Sequence, residues 1–316
     1  MKKENNNPPP EMIVSVCTIT YKHASFIKDT IEGVLLQEVN FPIEFIIADD
    51  NSPDDTAEIV KHYQENHPKG HWINYTKHDD NKGMMENFIW ALKECKGKYI
   101  ALCEGDDYWT DPLKLQQQVD FLESNADYVA CFHDAMVINE KELVIRENKF
   151  SKINLHDYNF EALKSGRVIP TLTNVFRNVI ADIPEEFSQS GLGDKFLSSF
   201  LGNYGNAKYL KGIKPAVYRV GNHGIWSQQN YVSKKKLNLM TVYQLWRYYD
   251  RMGDHKSADI LFNNLVIQGY RLYPYLPSGS ILNKIEKGLL KLNYNFFKFL
   301  KLPGILLAKL KLWKHQ

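Results

Sequence analysis

Tyr99-Ile100-Ala101-Leu102-Cys103-Glu104-Gly105-Asp106-Asp107-Tyr108-Trp109 is an apolar run followed at once by three acidic residues and an aromatic pair. The apolar part has the composition of a buried strand, and open α/β sheets bind ligands beyond the carboxyl ends of their strands. Three carboxylates crowded at such an end raise one another's pKa unless a cation lies among them. The segment therefore predicts a divalent-metal and phosphate site, and a surface turn with solvated acids is the alternative.

The segments on both sides of this motif alternate between strand-like and helix-like patterns. Apolar runs at 12–19, 45–48, 72–75 and 128–132 predict strands, and apolar residues at helical spacing lie between them. This alternation predicts an α/β fold with a mostly parallel, doubly wound sheet and helices on both faces. In such a sheet the polar residues that follow the strands gather along one edge: Thr20-Tyr21, Asp49-Asp50, Lys77 to Lys82 and Glu104 to Asp107.

Composition places the chain among globular proteins. With 316 residues, of which 44% are hydrophobic and 13% aromatic, it has enough apolar material for one large α/β domain with an appendage, or for two modest domains. The four cysteines, at 17, 95, 103 and 131, lie inside apolar runs, which predicts buried, reduced thiols in a cytoplasmic protein. No uninterrupted run reaches the roughly 18 apolar residues that a membrane-spanning helix needs.

Two common phosphate-binding motifs are missing where they should occur. No glycine follows the first predicted strand at 20–25, so the GxGxxG dinucleotide pattern fails there, and the chain has no GxxxxGKS/T loop. The acids at the strand end therefore favour phosphate binding through a metal ion rather than through a glycine-rich helix start.

Three segments, in this order, resemble a known family. Val14-Ser15-Val16-Cys17-Thr18-Ile19-Thr20-Tyr21, then Ile46-Ile47-Ala48-Asp49-Asp50-Asn51-Ser52-Pro53-Asp54, then Glu104-Gly105-Asp106-Asp107 look like the nucleotide-binding half of family 2 glycosyltransferases. The resemblance implies a GT-A fold, a nucleotide-sugar donor, inversion at the anomeric carbon, and a Mg²⁺ or Mn²⁺ cofactor. It covers residues 12–132 well and continues more weakly to about residue 227.

The resemblance also sets the expected domain organisation. Residues 1–11 are expected to be a disordered leader, and 12–232 a GT-A glycosyltransferase domain. Within that domain, 12–133 is the nucleotide-binding half and 134–232 the acceptor half. Residues 233–276 are expected to form a C-terminal helical extension that closes the acceptor side, and 277–316 a basic amphipathic tail.

The tail suggests where the protein works. From Ile281 to Gln316 it carries eight Lys and one Glu between apolar stripes. This pattern predicts binding to the anionic inner membrane surface, and hence a cytoplasmic protein that is peripheral on that membrane face. A helix that covers the body or a dimer partner is the alternative. Nucleic acid is not an expected partner, because the basic residues follow apolar stripes rather than a polar groove.

The resemblance assigns the nucleotide-sugar site to residues at the ends of the first three strands. Thr20 and Tyr21 line the base pocket, with the tyrosine ring stacked on uracil. Asp50 accepts the imide hydrogen of that base, which favours a UDP-sugar. His23 and Lys82 are basic residues placed to meet the donor, and an idle lysine on a solvated loop is the alternative for Lys82.

The resemblance assigns the metal site to the acidic motif. Asp107 is the expected direct ligand, Asp106 contacts the metal or the ribose, and Glu104 acts through water. Family members usually carry Asp at position 104, and Glu reaches one methylene further. Tyr108 and Trp109 would form an acceptor or sugar platform, since apolar sugar faces pack on aromatic rings, and core packing is the alternative.

Two later segments complete the expected site. Asp194 follows the glycine turn Ser190-Gly191-Leu192-Gly193 at the start of a helical pattern, where the family carries its catalytic base; a helix cap is the alternative. Arg219 and His223 lie in a segment at 218–227 that resembles the family's closing loop, where a basic residue meets the metal-diphosphate. An ordinary glycine-rich turn is the alternative there.

Together these residues imply a metal-dependent glycosyltransferase of the hexosyltransferase type. Its acceptor would be a saccharide or a lipid-linked saccharide in surface polysaccharide synthesis. Two alternatives remain: a non-catalytic nucleotide- or sugar-binding subunit with the same fold, and a sugar nucleotidyltransferase. The glycine-rich, lysine-bearing signature of the latter is absent after the first strand.

Overall fold

The computed structural model describes residues 13–150, 155–221, 229–272 and 275. The predictions for the leader at 1–11, for His223 and for the tail at 277–316 lie outside the described residues. The chain divides into two compact units, Met1–Leu265 and Val266–Gln316, and the features below belong to the first, except for the last residues of the final helix described. Within the described ranges, no helix is both long enough and apolar enough to cross a bilayer.

The strands of the first unit are short and come mostly in alternation with helices. Their bounds are β1 Val14–Thr20, β2 Ile43–Asp49, β3 Ile73–Lys77, β4 Tyr99–Leu102, β5 Tyr128–Phe132, β6 Ala135–Ile138, β7 Val144–Arg146, β8 Val175–Arg177, β9 Asn206–Tyr209 and β10 Ala216–Arg219.

The helices that accompany these strands vary in length. They are α1 Ile27–Leu35, α2 Thr56–Asn66, α3 Met84–Glu94, α4 Lys114–Ser124, α5 Phe160–Lys164, α6 Glu185–Ser188, α7 Gly193–Leu201, α8 Tyr231–Arg251 and α9 His255–Leu272. Short 3₁₀ turns lie at Gly70–Trp72, Thr171–Thr173 and Ile180–Asp182.

The central sheet has seven strands in the order β3-β2-β1-β4-β8-β5-β9. Neighbours from β3 to β4 run parallel, β8 is antiparallel to both β4 and β5, and β5 and β9 are parallel. The prediction of a mostly parallel α/β sheet is confirmed. The chain leaves β1 toward β2 and returns to β4 on the other side, so the strand order reverses between β1 and β4. Ligands of such sheets bind at this point, beyond the carboxyl ends of the two strands.

Two apolar cores cover the two faces of this sheet. Successive residues of β4 alternate between them, because side chains of a strand point to opposite faces. Ile100 and Leu102 join the core that contains α3 and α7, whereas Tyr99 and Ala101 join the core that contains α1 and α4. The predicted placement of helices on both faces is therefore confirmed. The four cysteines are buried and free, as predicted.

A second sheet, with the order β10-β6-β7, lies next to the acidic motif. Tyr108 forms a backbone bridge to Val217 of β10, with N···O distances of 3.2 and 2.8 Å. This bridge places the end of β10 beside Asp107. The loose pattern between 134 and 167 gave no clear prediction for β6 and β7, which supply two of the three strands of this sheet.

Helix α8 holds the turn that precedes α7. The Thr241 hydroxyl accepts hydrogen bonds from the backbone amides of Gly191 and Leu192, at 3.1 and 2.9 Å. A Cβ atom at Gly191 would lie 2.5 Å from the Leu237 carbonyl oxygen, so this contact requires glycine. The first residues of α7 are thereby fixed against α8.

A buried lysine lies beneath the aromatic pair. Lys114 is fully buried, donates to the Gln118 side-chain oxygen at 2.7 Å, and has its ammonium 4.0 Å from the centroid of the Trp109 ring. Burial lowers the pKa of Lys114 to about 7. In the unfolded chain the same group has a pKa near 10.4.

Replacing Lys114 by Met should flatten the pH dependence of stability above neutrality. Between about pH 7 and 10 the unfolded lysine binds a proton that the folded one has lost, so stability rises with pH, by up to about 1.4 kcal/mol per unit. Chemical denaturation of wild type and Lys114→Met at pH 7, 8 and 9 measures the slope. The exposed Lys211→Met is the control, and an unchanged slope in Lys114→Met would contradict the assignment.

Candidate active site

The acidic motif and the end of β1 are held together by backbone pairing beyond the end of β4. The amides of Cys103 and Gly105 donate to the carbonyls of Cys17 and Ile19, at 3.2 and 3.0 Å. A Cβ atom at Gly105 would lie 2.7 Å from the Thr20 hydroxyl and 2.8 Å from His23 Nδ1. Only glycine allows this approach, so position 105 fixes the acids directly beside the residues that follow β1.

Glu104, Asp106 and Asp107 form a compact cluster, which we call the acid cluster. One carboxylate oxygen from each lies within 4.8 Å of the others. Asp107 is 1% exposed, and its Oδ1 accepts a hydrogen bond from the Arg219 backbone amide at 3.1 Å. Its Oδ2 is buried and has no hydrogen-bond partner among the described residues.

The electrostatics of the acid cluster favour a cation. Burial, and then the neighbouring Asp106 charge, raise the pKa of Glu104 to about 7. Burial together with Asp106 and Glu104 also raises the pKa of Asp107 well above its ordinary value. Three mutually repelling carboxylates, one with an unpartnered buried oxygen, offer the hard oxygen ligands that suit Mg²⁺ or Mn²⁺. These three residues therefore fit a divalent metal ion.

Lys149 lies beside the acid cluster and was not predicted from the sequence. Its ammonium is 3.2 Å from the centroid of the Tyr218 ring, and its backbone amide donates to the Ala135 carbonyl at 2.6 Å. Burial lowers the pKa of Lys149, opposed by the charges of the acid cluster and of Asp194. Lys149 therefore lies close enough to the acid cluster and to Asp194 to interact with the charges of both.

Asp194 is the second residue of α7, as the predicted helix start requires. Its Oδ1 accepts a hydrogen bond from the Lys195 backbone amide at 2.7 Å. Burial raises the pKa of Asp194 against the opposing effects of Lys149 and Lys195. A carboxylate with a raised pKa is a stronger proton acceptor than a solvated one.

One cavity of about 590 Å³ brings these groups together. Glu104, Lys149 and Asp194 all line it, although they come from three separate parts of the chain. Its remaining wall is largely apolar and includes residues of α3, together with the first turns of α8. The cavity thus connects Glu104 of the acid cluster to the partly buried carboxylate of Asp194.

Asp50 lies at the start of α3 rather than facing open solvent. It is buried, and its two carboxylate oxygens accept hydrogen bonds from the backbone amides of Lys82 and Gly83, at 2.6 and 2.9 Å. The Lys82 side chain is exposed. The preceding Asp49 accepts from the Ser52 amide and the Tyr75 hydroxyl, so it braces the turn after β2.

The residues after β1 present both polar and aromatic groups. Tyr21 is partly exposed, with the Lys22 ammonium 4.9 Å from its ring centroid. Thr20 Oγ1 and His23 Nδ1 are buried and have no hydrogen-bond partner among the described residues. Two buried polar atoms without partners, next to the acid cluster, favour a bound polar ligand at this edge.

The aromatic pair divides between site and core. Trp109 is 2% exposed and donates from its indole nitrogen to the Leu172 carbonyl at 2.7 Å, so its ring packs in the core and does not present a face to a sugar. Tyr108 is partly exposed. The Arg219 guanidinium lies 5.0 Å from the Tyr108 ring centroid and pairs with Asp29, so this side chain is directed away from the acid cluster.

Comparison with known proteins gives a family match and several relatives. The family model of glycosyl transferase family 2 matches residues 15–182. An uncharacterized protein of Mycobacterium tuberculosis is 34% identical over 226 residues, which cover 71% of this chain and 63% of that protein. The Escherichia coli UDP-Glc:alpha-D-GlcNAc-diphosphoundecaprenol beta-1,3-glucosyltransferase WfaP is 33% identical over 133 residues, which cover 42% of this chain and 49% of WfaP. This chain therefore spans less than two thirds of the length of these relatives.

Solved structures share the fold at low sequence identity. The mannosyltransferase PcManGT from Pyrobaculum calidifontis, in complex with GDP-Man and Mn²⁺, aligns with a TM-score of 0.57 at 14% identity, covering 93% of this chain and 84% of that one. S. aureus TarS 1-349 in complex with UDP aligns with a TM-score of 0.53 at 17% identity, covering 74% and 65%. At these identities the likeness concerns the fold alone.

Replacing Asp50 by Asn should destabilise the protein. The amide group has one acceptor oxygen where the carboxylate has two, so one of the two backbone amides at 82 and 83 loses its partner, at a cost of about 1–3 kcal/mol. Urea denaturation measures the loss. The exposed Asp80→Asn on the same loop is the control, and equal stability of Asp50→Asn and wild type would refute the assignment.

Proposed function

The chain belongs to glycosyl transferase family 2, and on that basis we propose that it transfers a sugar from a nucleotide-sugar donor to an acceptor hydroxyl, with inversion at the anomeric carbon. One observation carries the proposal: Asp194, a carboxylate fit to act as a base, lines the same cavity as Glu104, which belongs to the cluster fit to hold a metal. The donor we propose is a UDP-sugar. The acceptor is a saccharide or a lipid-linked saccharide, and the setting is surface polysaccharide synthesis.

The acid cluster is the proposed metal site. Asp107, with its unpartnered buried oxygen, and Asp106 would hold Mg²⁺ or Mn²⁺, and Glu104 would contribute through water. When bound, the metal would supply positive charge for the departing nucleoside diphosphate. The Mn²⁺ in the PcManGT complex supports this choice of ion.

The residues after β1 and β2 would bind the nucleotide. Thr20 and His23 offer buried atoms without partners, and Tyr21 offers a ring for stacking on the base. Each carboxylate oxygen of Asp50 accepts one hydrogen bond from a backbone amide. The remaining lone pairs of these oxygens can accept the imide hydrogen of uracil. The UDP in the TarS complex and the UDP-Glc donor in the name of WfaP support a UDP-sugar.

Asp194 is the proposed general base. It takes the proton of the acceptor hydroxyl while the acceptor oxygen bonds to the anomeric carbon and the bond from that carbon to the diphosphate breaks. The Lys149 ammonium, which lines the cavity with Asp194 and Glu104, would add positive charge near the negative charge that develops on the leaving group. A non-catalytic subunit would have no need for this partly buried, proton-accepting carboxylate, and the family match favours sugar transfer over nucleotidyl transfer.

Asp194→Asn should abolish sugar transfer and preserve donor binding. The amide keeps the shape of the carboxylate but does not accept a proton, so we expect a loss of at least about 10²–10⁴-fold in kcat. A turnover assay with UDP-sugars, beside calorimetry of UDP with Mn²⁺, separates the two effects. The exposed Asp250→Asn is the control, and retained transfer in Asp194→Asn would remove this residue from the role.

Asp107→Asn should remove stabilisation by Mn²⁺. At about 100 times its dissociation constant, the ion should stabilise wild type by about 2.7 kcal/mol, because it binds the folded state alone. The variant loses one charged ligand but can still accept from the Arg219 amide, so it should fold without metal. Denaturation with and without Mn²⁺ checks this, with Asp80→Asn as the control. Equal stabilisation of Asp107→Asn and wild type would place the metal elsewhere.

A further inference from the structure

Beyond Asp194 the cavity meets a second group of charged residues, all of them basic. Lys195 follows Asp194 on α7, and Lys234 and Lys235 lie on the first turn of α8; all three line the cavity. None of them belongs to a motif of the nucleotide-binding half. We call them the lysine group.

Lys195 is held in place by its surroundings. It is 8% exposed, and its ammonium donates to the Asn238 side-chain oxygen of α8 at 2.7 Å. A Cβ atom at Gly166 would lie 2.9 Å from Lys195 Cε, so the stem of the lysine passes close to that glycine. Burial lowers the pKa of Lys195 to about 8, with Asp194 opposing this shift and the charge of Lys235 adding to it. A buried lysine thus lies near a second, partly buried one.

The charges along the cavity alternate in sign. Asp194 interacts with Lys149 and with Lys195. Lys149 interacts with the acid cluster and with Asp194, whereas Lys195 interacts with Asp194 and Lys235. Lys195 follows Asp194 directly in α7, and both line the cavity with Lys234 and Lys235, so an anion bound to the lysine group lies near the proposed base.

The wall near the lysine group also offers apolar surface. Met84, Met85 and Phe88 of α3 line the cavity together with Leu192 and Val168. Flexible methionine side chains adapt to ligands of irregular shape. A cavity of about 590 Å³ lies within the usual range for small-molecule sites, about 300–1,000 Å³.

These observations rest on the proposed transfer reaction and deepen it. We infer that the acceptor carries a phosphate or diphosphate group bound by Lys195, Lys234 and Lys235, with an apolar portion packed against Met84, Met85 and Phe88. The lysines pair with the phosphate oxygens, and the acceptor hydroxyl then lies next to Asp194. The donor diphosphate remains at the acid cluster.

Titration calorimetry without divalent metal, in EDTA, tests the inference with three probes: geranyl diphosphate, geraniol and pyrophosphate. Geranyl diphosphate combines both recognised features, so it should bind wild type at least tenfold more tightly than either of the others. The Lys234→Met/Lys235→Met variant should lose at least tenfold of that affinity, and each single variant part of it. Lys236→Met is the matched control, because Lys236 lies on the same helix but does not line the cavity; it should stay within twofold of wild type.

Several outcomes would overturn the inference. If wild type binds geraniol as tightly as geranyl diphosphate, the cavity has no anion site. If it binds pyrophosphate as tightly as geranyl diphosphate, the apolar wall does not contribute to binding. Unchanged binding in both single variants and the double variant would place the diphosphate at the donor side. UDP with Mn²⁺ is titrated into the same proteins and should bind wild type and the double variant equally. If UDP fails to bind wild type, the proposed transfer function fails, whereas the metal-free titrations judge the lysine group separately.

Discussion

Crowding of three carboxylates, one buried and two partly buried, into one small volume is the constraint on which the rest of the site depends. An unpaired charge in a protein interior costs several kcal/mol, and three together add mutual repulsion. The raised pKa values of Glu104 and Asp107 express that cost. The compensating groups, the Arg219 amide and the Lys149 ammonium, both come from the part of the chain beyond residue 134. The residues beyond position 134 therefore do more than frame the cavity, because they also interact with the charges of the acid cluster.

Two long-range supports bring these distant groups together. The backbone bridge between Tyr108 and Val217 carries the end of β10 to the acid cluster. On the opposite wall, Thr241 of α8 holds the turn before Asp194. Each support consists of hydrogen bonds to backbone groups, whose geometry varies less than that of side-chain contacts. The alternating charges of the cavity are thus set by the fold rather than by flexible loops.

The strands that carry the motifs were predictable because they are buried on both faces. Such strands appear as continuous apolar runs, and β1, β2 and β4 end where the polar residues begin. The strands after residue 134 have only three or four residues each, too few to give a period. Lys149 had no signal, since its place follows from a backbone bond to Ala135 in β6. Likewise, an adjacent pair of aromatic residues does not indicate which ring faces inward, and the structure turns Trp109 into the core.

Gly105 has a further consequence under the proposed function. Because a Cβ at position 105 would collide with Thr20 and His23, this glycine allows the acid cluster to lie directly against the end of β1. The sheet then sets the distance between the proposed base pocket and the proposed metal site. The nucleotide and the sugar of the donor would then be recognised by separate parts of the molecule. The first is fixed in the β1–β4 crevice, and the second can diverge with the residues that follow position 134.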